Sequence, residues 1–477
     1  MAAVNRSMEP PRAGGSQLNE THQVLFVTYH FPPSMEMGGQ TCAQIARYLP
    51  LYSWEPVVLT VNERYAELAG DALEREFPGR VLRTSLLPHP LTFYRYLKSK
   101  LHSERKGAMA DVVRSEDSGR LRRWLLSLLL VGDAYLGWIP PATLAGLKAT
   151  RGNRVRHLLS SGPPWTCHLV GLLLSHITGL PWIAHFRDPW SQARVTPEKG
   201  LPMRVNAALE RMVIDRATFV VCVTNEHTET LRRAYPEFPK GKFQTIPNGF
   251  DGKEWEDLDA KPEWENLDAK PDPVESRKKT KFTITYTGQL YQARNPLPLF
   301  RALRQLIDAG DIDRERFQVE LIGWCDLAEG RRVADIAEDC GLADCIHVRG
   351  PRNRLETLRS MSKANLLLLL AEGWTVQIPG KTYEYMRAGR PILALTSKGA
   401  LADLLRSTGG ASVVDPHDVA GISAVVRETY RHWKEGRSLA GADPAVVAHF
   451  DRRVLAGRFA QLFAKSVLPV DSVASPR

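Results

Sequence analysis

Gly380, Lys381 and Glu384 stand within five residues of one another, and a second acid, Glu372, precedes them across a short loop. These residue types suit one kind of ligand. A lysine ammonium and the free N–H groups at a helix start attract phosphate oxygens. A carboxylate one turn further along can accept hydrogen bonds from a pair of sugar hydroxyls. Together they describe a cradle for a nucleotide diphosphate. Stepping outward, Leu366 to Ala371 is an apolar run of strand length, suited to burial on both faces. Thr382 to Ala388 reads as helix, Gly389 is placed to end it, and Pro391 to Leu395 reads as the next strand. Such a unit crosses over within a parallel sheet, and parallel sheets bind ligands at the carboxyl ends of their strands.

Gly380-Lys381-Thr382 also invites comparison with a phosphate-binding P-loop. The spacing excludes it: six residues separate Gly373 from Gly380, where a P-loop has four, and Pro379 lacks the N–H a phosphate nest would use. Two further strand ends carry reactive types. The strand Pro181 to Phe186 delivers Arg187 and Asp188, with His185 just before them. The two charges read either as a structural ion pair or as a phosphate-facing arginine beside an aspartate that orients a hydroxyl. The strand Val24 to Thr28 leads into a segment ending Gly38-Gly39-Gln40, followed by a helix from about Thr41 to Leu49 and a strand from Trp54 to Val61. This is a Rossmann-like start without the dinucleotide G-x-G-x-x-G. The glycine pair reads either as a turn or as a place where backbone approaches a sugar.

Composition narrows the classes. A chain of 477 residues exceeds what one core supports and implies two domains or three. The formal charge of +10, from 63 basic and 53 acidic residues, suits phosphates, an acidic membrane surface or nucleic acid. Nucleic acid has nothing beyond that charge behind it, because aromatics do not interleave with a basic face. Six cysteines stand at 42, 167, 222, 325, 340 and 345, without zinc spacing, and read as reduced core residues of a cytosolic protein. Asp257-Leu-Asp259 and Asp311-Ile-Asp313 read as surface turns, so no metal ligands are assigned. No Ser-His-Asp order, H-E-x-x-H or kinase set is found.

Glu384-Tyr-Met386-Arg-Ala-Gly389-Arg-Pro391 resembles the sugar-nucleotide motif of GT-B glycosyltransferases, in the large retaining family that includes sucrose and glycogen synthases. Val24-Leu-Phe-Val-Thr-Tyr with Gly38-Gly39 and Trp54-Glu-Pro-Val-Val-Leu-Thr-Val61 is similar to that family's amino-terminal domain. Ile246-Pro-Asn-Gly-Phe-Asp251 is similar to its domain junction. Ser160-Ser-Gly-Pro-Pro164, with Gly179 to Trp190, resembles a bacterial branch working on surface polysaccharides. The resemblance implies an α/β fold of two Rossmann-like domains whose parallel sheets face across a cleft. It implies that Glu384 binds the ribose, and that Gly288 and Arg294 stand in the loop binding the donor diphosphate, with Gln289 replacing an arginine. Lys381 would supply part of the missing charge. Val376 stands where the family has its first glutamate, and Glu372 lies twelve residues before Glu384. Arg187 stands at the place of a histidine in a His-Asp pair, with His185 two residues away.

The implied activity is transfer of a sugar from a nucleotide-diphosphate sugar to an acceptor hydroxyl on a glycan or lipid-linked saccharide. The nucleotide sugar is a co-substrate; no cofactor is expected, the diphosphate being neutralised by Arg294, Lys381 and a helix dipole, and retention of configuration is expected. A nucleotide-sugar epimerase and a non-catalytic nucleotide-sugar-binding protein are the alternatives. The expected layout is a disordered tail at 1–22 and an acceptor-side domain at 23–251. A charged linker at 252–280 and a donor domain at 281–449 follow, then a closing helix at 450–466 that packs toward the first domain and a tail at 467–477. The linker holds nine residues twice with one change, Glu254 to Pro262 and Glu263 to Pro271, read as a duplicated flexible piece. Between 63 and 150 a basic zone, Arg95 to Arg123, precedes the apolar run Trp124 to Val131, too short for the roughly 20 residues of a spanning helix. It reads as a core helix with a solvated flank, or as a peripheral contact with anionic lipid that sets Trp124, Tyr135 and Trp138 near headgroups. The expected location is the cytoplasm, at the inner face of the membrane if that contact forms.

Overall fold

The computed structural model describes residues 22–34, 36–65, 77, 79–87, 133–152, 154–192, 200–260, 281–291 and 294–466. The first domain alternates strand and helix: β1 (His22–Val27), α1 (Met37–Tyr48), β2 (Trp54–Val61), β3 (Arg80–Thr84), α2 (Ile139–Thr150), β4 (Val155–Gly162), α3 (Thr166–Thr178), β5 (Trp182–Phe186), α4 (Leu201–Arg216), β6 (Phe219–Cys222), α5 (Asn225–Ala234) and β7 (Phe243–Thr245). Its seven strands lie in the order β3-β2-β1-β4-β5-β6-β7 and pair in parallel. Strand periodicity of two splits the side chains between the faces. Leu25, Val27, Leu158 and Ala184 meet Ala142, Val170, Leu174 and Val213 of α2, α3 and α4 on one face. Val24, Phe26, Leu159 and Ile183 meet Ile45 and Ala46 of α1 on the other.

After α6 (Gly252–Ala260) the second domain runs β8 (Phe282–Thr287), α7 (Leu297–Asp308), β9 (Phe317–Ile322), the two-residue strands β10 (Leu327–Ala328) and β11 (Arg331–Arg332), α8 (Val333–Asp339), β12 (Ile346–Gly350), α9 (Arg354–Lys363), β13 (Leu366–Ala371), α10 (Lys381–Arg387), β14 (Ile392–Thr396), α11 (Ala400–Thr408), β15 (Ala411–Val414) and α12 (Val419–Lys434). Six strands pair in parallel in the order β12-β9-β8-β13-β14-β15. The leucines of β13 are at most 3% exposed, and burying each contributes about 2 kcal/mol. The fold is thus the expected α/β pair of parallel-sheet domains. In both sheets the strand order reverses beside the first strand of the domain, between β1 and β4 and between β8 and β13, which is where such sheets open a crevice.

The chain then returns. α13 (Pro444–Val447) leads into α14 (Arg452–Lys465), whose Leu455, Phe459 and Phe463 join Val24 and Phe26 in the core of the first domain. Phe250 and Asp451 form a parallel bridge where the two crossings pass each other.

Three expectations need correction. The first repeat copy is not a loose linker: its residues Glu254 to Ala260 lie in α6, with Trp255 2% exposed and packed with Leu358, Met361 and Tyr383. The heptad-like spacing of Trp255 and Leu258 supplies one apolar stripe, which outweighs the charge around it. The rest of the linker, 261–280, lies outside the described residues. Trp138 is fully buried and donates from Nε1 to Thr84 Oγ1 at 2.7 Å, so it is not available to lipid headgroups, while the half-buried Tyr135 packs on Tyr29 at 4.2 Å. The basic zone from Arg95 to Arg123 and the run Trp124 to Val131 lie outside the described residues, as do both tails apart from His22. Finally, Gly38 and Gly39 belong to the first turn of α1, not to a loop before it. Among the described residues no helix is long and apolar enough to cross a membrane. All six cysteines are free, five of them buried.

Candidate active site

The cleft side expected to hold the donor is built where β8 and β13 end. Gly288 leaves β8 with φ +111°, a conformation that favours glycine, and a Cβ there would come within 2.8 Å of Lys381 Nζ. Lys381 opens α10 and is 9% exposed. Its ammonium donates to the carbonyl of Thr287 and lies 3.8 Å from the centroid of the Tyr286 ring. Burial, and next the neighbouring Arg294 charge, hold its pKa well below the usual lysine range. Arg294 is 7% exposed, stacked over Tyr291 at 4.1 Å and Trp374 at 5.1 Å. Its Nη1 reaches the Gln289 carbonyl at 3.5 Å, and its Nε is buried without a partner. Among the described residues neither cation has a carboxylate at ion-pair distance. Two like charges buried side by side are costly, and Lys381 meets that cost by holding its proton weakly until an anion joins them. The pocket therefore calls for one.

Glu384 lies one turn into α10, 8% exposed, with Oε1 2.6 Å from Arg354 Nη2. Gly380 precedes Lys381 as the helix cap, and a Cβ on it would lie 3.8 Å from Met37 Sδ of the first domain. Gly389 has φ +65° just past the helix, as its ending role requires. Glu372 caps the end of β13, but its carboxylate meets His417 Nε2 at 3.1 Å, in the turn after β15, and joins neither Lys381 nor Glu384.

On the opposite side of the cleft the glycine pair has a packing role. The Arg187 guanidinium lies where a Cβ on Gly38 would be, and a Cβ on Gly39 would stand 3.2 Å from the His30 carbonyl carbon. Both places admit glycine alone without movement. Arg187 donates to the Pro163 carbonyl and leaves its Nε buried without a partner. Burial, then the Arg187 charge, lower the His30 pKa to about 4. Arg187 and Asp188 do not pair with each other: Asp188 Oδ1 accepts from Gln377 Nε2 of the second domain at 2.5 Å. A second bond crosses the cleft nearby, from Thr224 Oγ1 to the Val376 carbonyl at 2.6 Å. Tyr291 senses both sides. Burial raises its pKa, the Arg294 charge opposes that, and the Asp188 charge adds to it. His185 is 2% exposed, with Nδ1 3.1 Å from Ser161 Oγ and its ring against Phe459 of α14, and burial, then the Arg187 charge, lower its pKa.

The structure thus gathers Arg294, Lys381, Glu384, Gly288 and Gly380 into one pocket and sets Gly38, Arg187 and Asp188 across from it. Glu372 stands apart, and His185 is buried close enough to Arg187 to feel its charge. Arg354, Gln377, Tyr291 and Trp374 belong to the same cleft and carry no motif that would single them out.

The comparisons agree with the fold. Residues 134–254 match the family described as Glycosyltransferase Family 4, and residues 281–432 match Glycosyl transferases group 1. The chain is a glycosyltransferase of GT-B architecture, with one of these domains in each half. Among solved structures, sucrose-phosphate synthase from Thermosynechococcus elongatus is similar at 16% identity over 93% of this chain and 98% of that one, with a TM-score of 0.61. Anabaena HepE in complex with UDP and glucose is similar at 14% identity over 93% and 100%, TM-score 0.58. A glycosyltransferase from Rickettsia africae is similar at 14% over 94% and 99%, TM-score 0.58. At these identities the likeness speaks for the fold. No curated protein matches the chain by sequence.

Proposed function

We propose that the chain moves a sugar from a nucleoside diphosphate sugar, held by the second domain, to an acceptor hydroxyl presented by the first. The observation that carries this reading is the pair of buried basic groups, Arg294 and Lys381, with no carboxylate at ion-pair distance among the described residues, beside a tyrosine on which the Asp188 charge also acts. The acceptor hydroxyl attacks the anomeric carbon, the bond from that carbon to the diphosphate oxygen breaks, and the diphosphate leaves with the electron pair. Negative charge gathers on the leaving group, where Arg294 and Lys381 wait for it. An arriving diphosphate favours the protonated form of Lys381, so binding and proton uptake go together. Glu384 takes the ribose hydroxyls, and Asp188 orients or accepts the acceptor proton, with Arg187 and the start of α1 shaping that side.

We read the transfer as independent of a metal ion, since two side-chain cations already stand at the diphosphate position. Retention of configuration follows from the family resemblance. HepE was crystallised with UDP and glucose, which supports a UDP-sugar among the candidate donors. For the acceptor we favour a growing glycan or lipid-linked saccharide of surface polysaccharide synthesis, reached at the cytoplasmic face of an anionic membrane that the +10 net charge would attract.

The test is a thermal-shift screen against UDP-, GDP-, ADP- and dTDP-sugars. One of them at a hundred times its Kd should stabilise the protein by about 2.7 kcal/mol. At the same concentration the gain should fall to about 1.4 kcal/mol or less in Glu384→Gln and Arg294→Met, each losing at least about 10-fold in affinity. If no nucleotide sugar stabilises the chain at millimolar concentration, the donor reading is lost. Donor turnover without acceptor would point to an epimerase, and binding with neither hydrolysis nor transfer to a non-catalytic role.

A further inference from the structure

Arg354 is the first residue of α9, after the capping Asn353, and its guanidinium serves two acids from different elements. Its Nε and Nη2 both donate to Glu254 Oε2, at 3.0 and 2.7 Å, and Nη2 also lies 2.6 Å from Glu384 Oε1. Three charged side chains that are mostly buried therefore share one cation between two carboxylates. Ion pairs of this kind add little net stability, because the desolvation cost absorbs most of the attraction. What the arrangement does supply is direction. A guanidinium presents its N–H groups in a rigid fork, so it fixes the carboxylates it holds.

Glu254 belongs to α6, the helix that joins the domains. α6 is seated a second time through Trp255, whose ring lies 5.3 Å from the Arg387 guanidinium, three residues after Glu384 on α10. Immediately before α6 stands Asp251, fully buried. Its carboxylate accepts from the Tyr48 hydroxyl and, at 3.4 Å, from Arg47 Nη1, both at the last turn of α1. The first turn of α1 carries Gly38 at the acceptor side. A continuous set of contacts thus runs from the acceptor side through α1, Asp251, α6 and Arg354 to Glu384.

We infer that Arg354 is a positioning residue of the donor site: it holds one oxygen of Glu384 so that the other is presented to the ribose hydroxyls, and it ties that presentation to the domain-joining helix through Glu254. This rests on the reading of Glu384 as the ribose-binding carboxylate. Arg354 touches no reacting atom in this scheme.

The experiment compares calorimetric affinities for UDP and 2′-deoxy-UDP, or for GDP or ADP and its 2′-deoxy counterpart if that nucleotide stabilises the chain in the screen. The proteins are the full chain, Arg354→Met, Arg354→Lys, Glu254→Gln and Glu384→Gln, each first checked for an unchanged Tm. The wild type should prefer the ribonucleotide by about 10-fold, the value of one hydrogen bond to a charged group. Arg354→Met should bring that preference to within about 2-fold and raise the donor KM while leaving the acceptor KM unchanged. Arg354→Lys should restore part of it. Glu254→Gln, which keeps Arg354 and its bond to Glu384, should shift the preference in the same direction by a smaller factor, and it decides the matter if the arginine variants do not fold. If Glu384→Gln abolishes the preference while Arg354→Met and Glu254→Gln keep it, Arg354 is only a packing group and the inference is overturned with the donor reading intact. If wild type and Glu384→Gln bind both nucleotides alike, the ribose role of Glu384 falls and the inference falls with it.

Discussion

The two domains share a sheet type and a strand-helix alternation, yet they bury different chemistry. The first encloses four histidines, His157, His168, His185 and His227, each at most 2% exposed. Burial depresses all of them, to about 4 for His157 and His227 and about 3 for His168, so they are neutral at ordinary pH. The described histidines of the second domain all reach solvent to some degree, and what that domain encloses at its strand ends is Arg294 and Lys381. A neutral imidazole in a core is a hydrogen-bonding and packing element. A cation in a core without a carboxylate is an expense that a ligand must offset. The comparison teaches that sensitivity to acid should lie in the first domain and the capacity to bind donor in the second.

Acid offers the largest lever on this difference. Each depressed histidine binds a proton in the unfolded chain near pH 6.5 but not in the native state until far lower. Stability is therefore complete above pH 6.5 and falls as pH drops from there toward the native values near 4 and 3. At pH 5 the loss is about 2 kcal/mol for each of His157, His168 and His227. Urea unfolding at pH 7 and pH 5 should show the first domain, which holds Trp138, Trp182 and Trp190, unfolding earlier on acidification. Equal acid loss in both domains would erase the contrast.

Next in size is Lys381→Met. Losing a charge-assisted bond to a phosphate should weaken nucleotide binding about 10- to 100-fold, while Tm holds or rises because a buried amine that is costly to desolvate is removed. Calorimetry and thermal melts read the two separately. In the wild type the depressed Lys381 pKa adds a sign: nucleotide affinity should fall as pH rises and binding should take up protons, and both effects should be absent in the variant. A collapsed Tm with unchanged affinity would make the cation a structural one.

The smallest effect is expected on the acceptor side. In Gly38→Ala the new methyl takes the place of the Arg187 guanidinium, which is the free end of a flexible side chain and can swing away. Stability should change little, and transfer should slow by about 10-fold as Arg187 is displaced. Unchanged kinetics would remove Arg187 from the acceptor side.

Much of the fold was legible because buried parallel strands are continuous apolar runs. Leu366 to Ala371 and Trp54 to Val61 coincide with β13 and β2. β3 was missed: Arg80 and Arg83 interrupt it and none of its residues is fully buried, as befits an edge strand. The hairpin of β10 and β11 is too short to leave a pattern. The sequence over α6 reads as linker, since charge and repetition hide the stripe of Trp255 and Leu258, which makes sense only against Leu358 and Met361 of α9. At the cleft, Arg294, Lys381 and Glu384 were picked out by motif spacing. Arg354 could not be, because its partner Glu254 lies 100 residues earlier, and an arginine at a helix start looks the same whether it holds two acids or none. Gln377 escaped for a similar reason: its bond to Asp188 spans 189 residues and depends on how the two sheets meet.

The return of α14 has a consequence for how the molecule is made. Phe459 and Phe463 complete the core that Val24 and Phe26 begin, so the domain synthesised first is the last to be finished. While the ribosome elongates the middle of the chain, that face of the nascent sheet is covered by α1 alone, and the rest of its apolar surface stays exposed until α14 emerges.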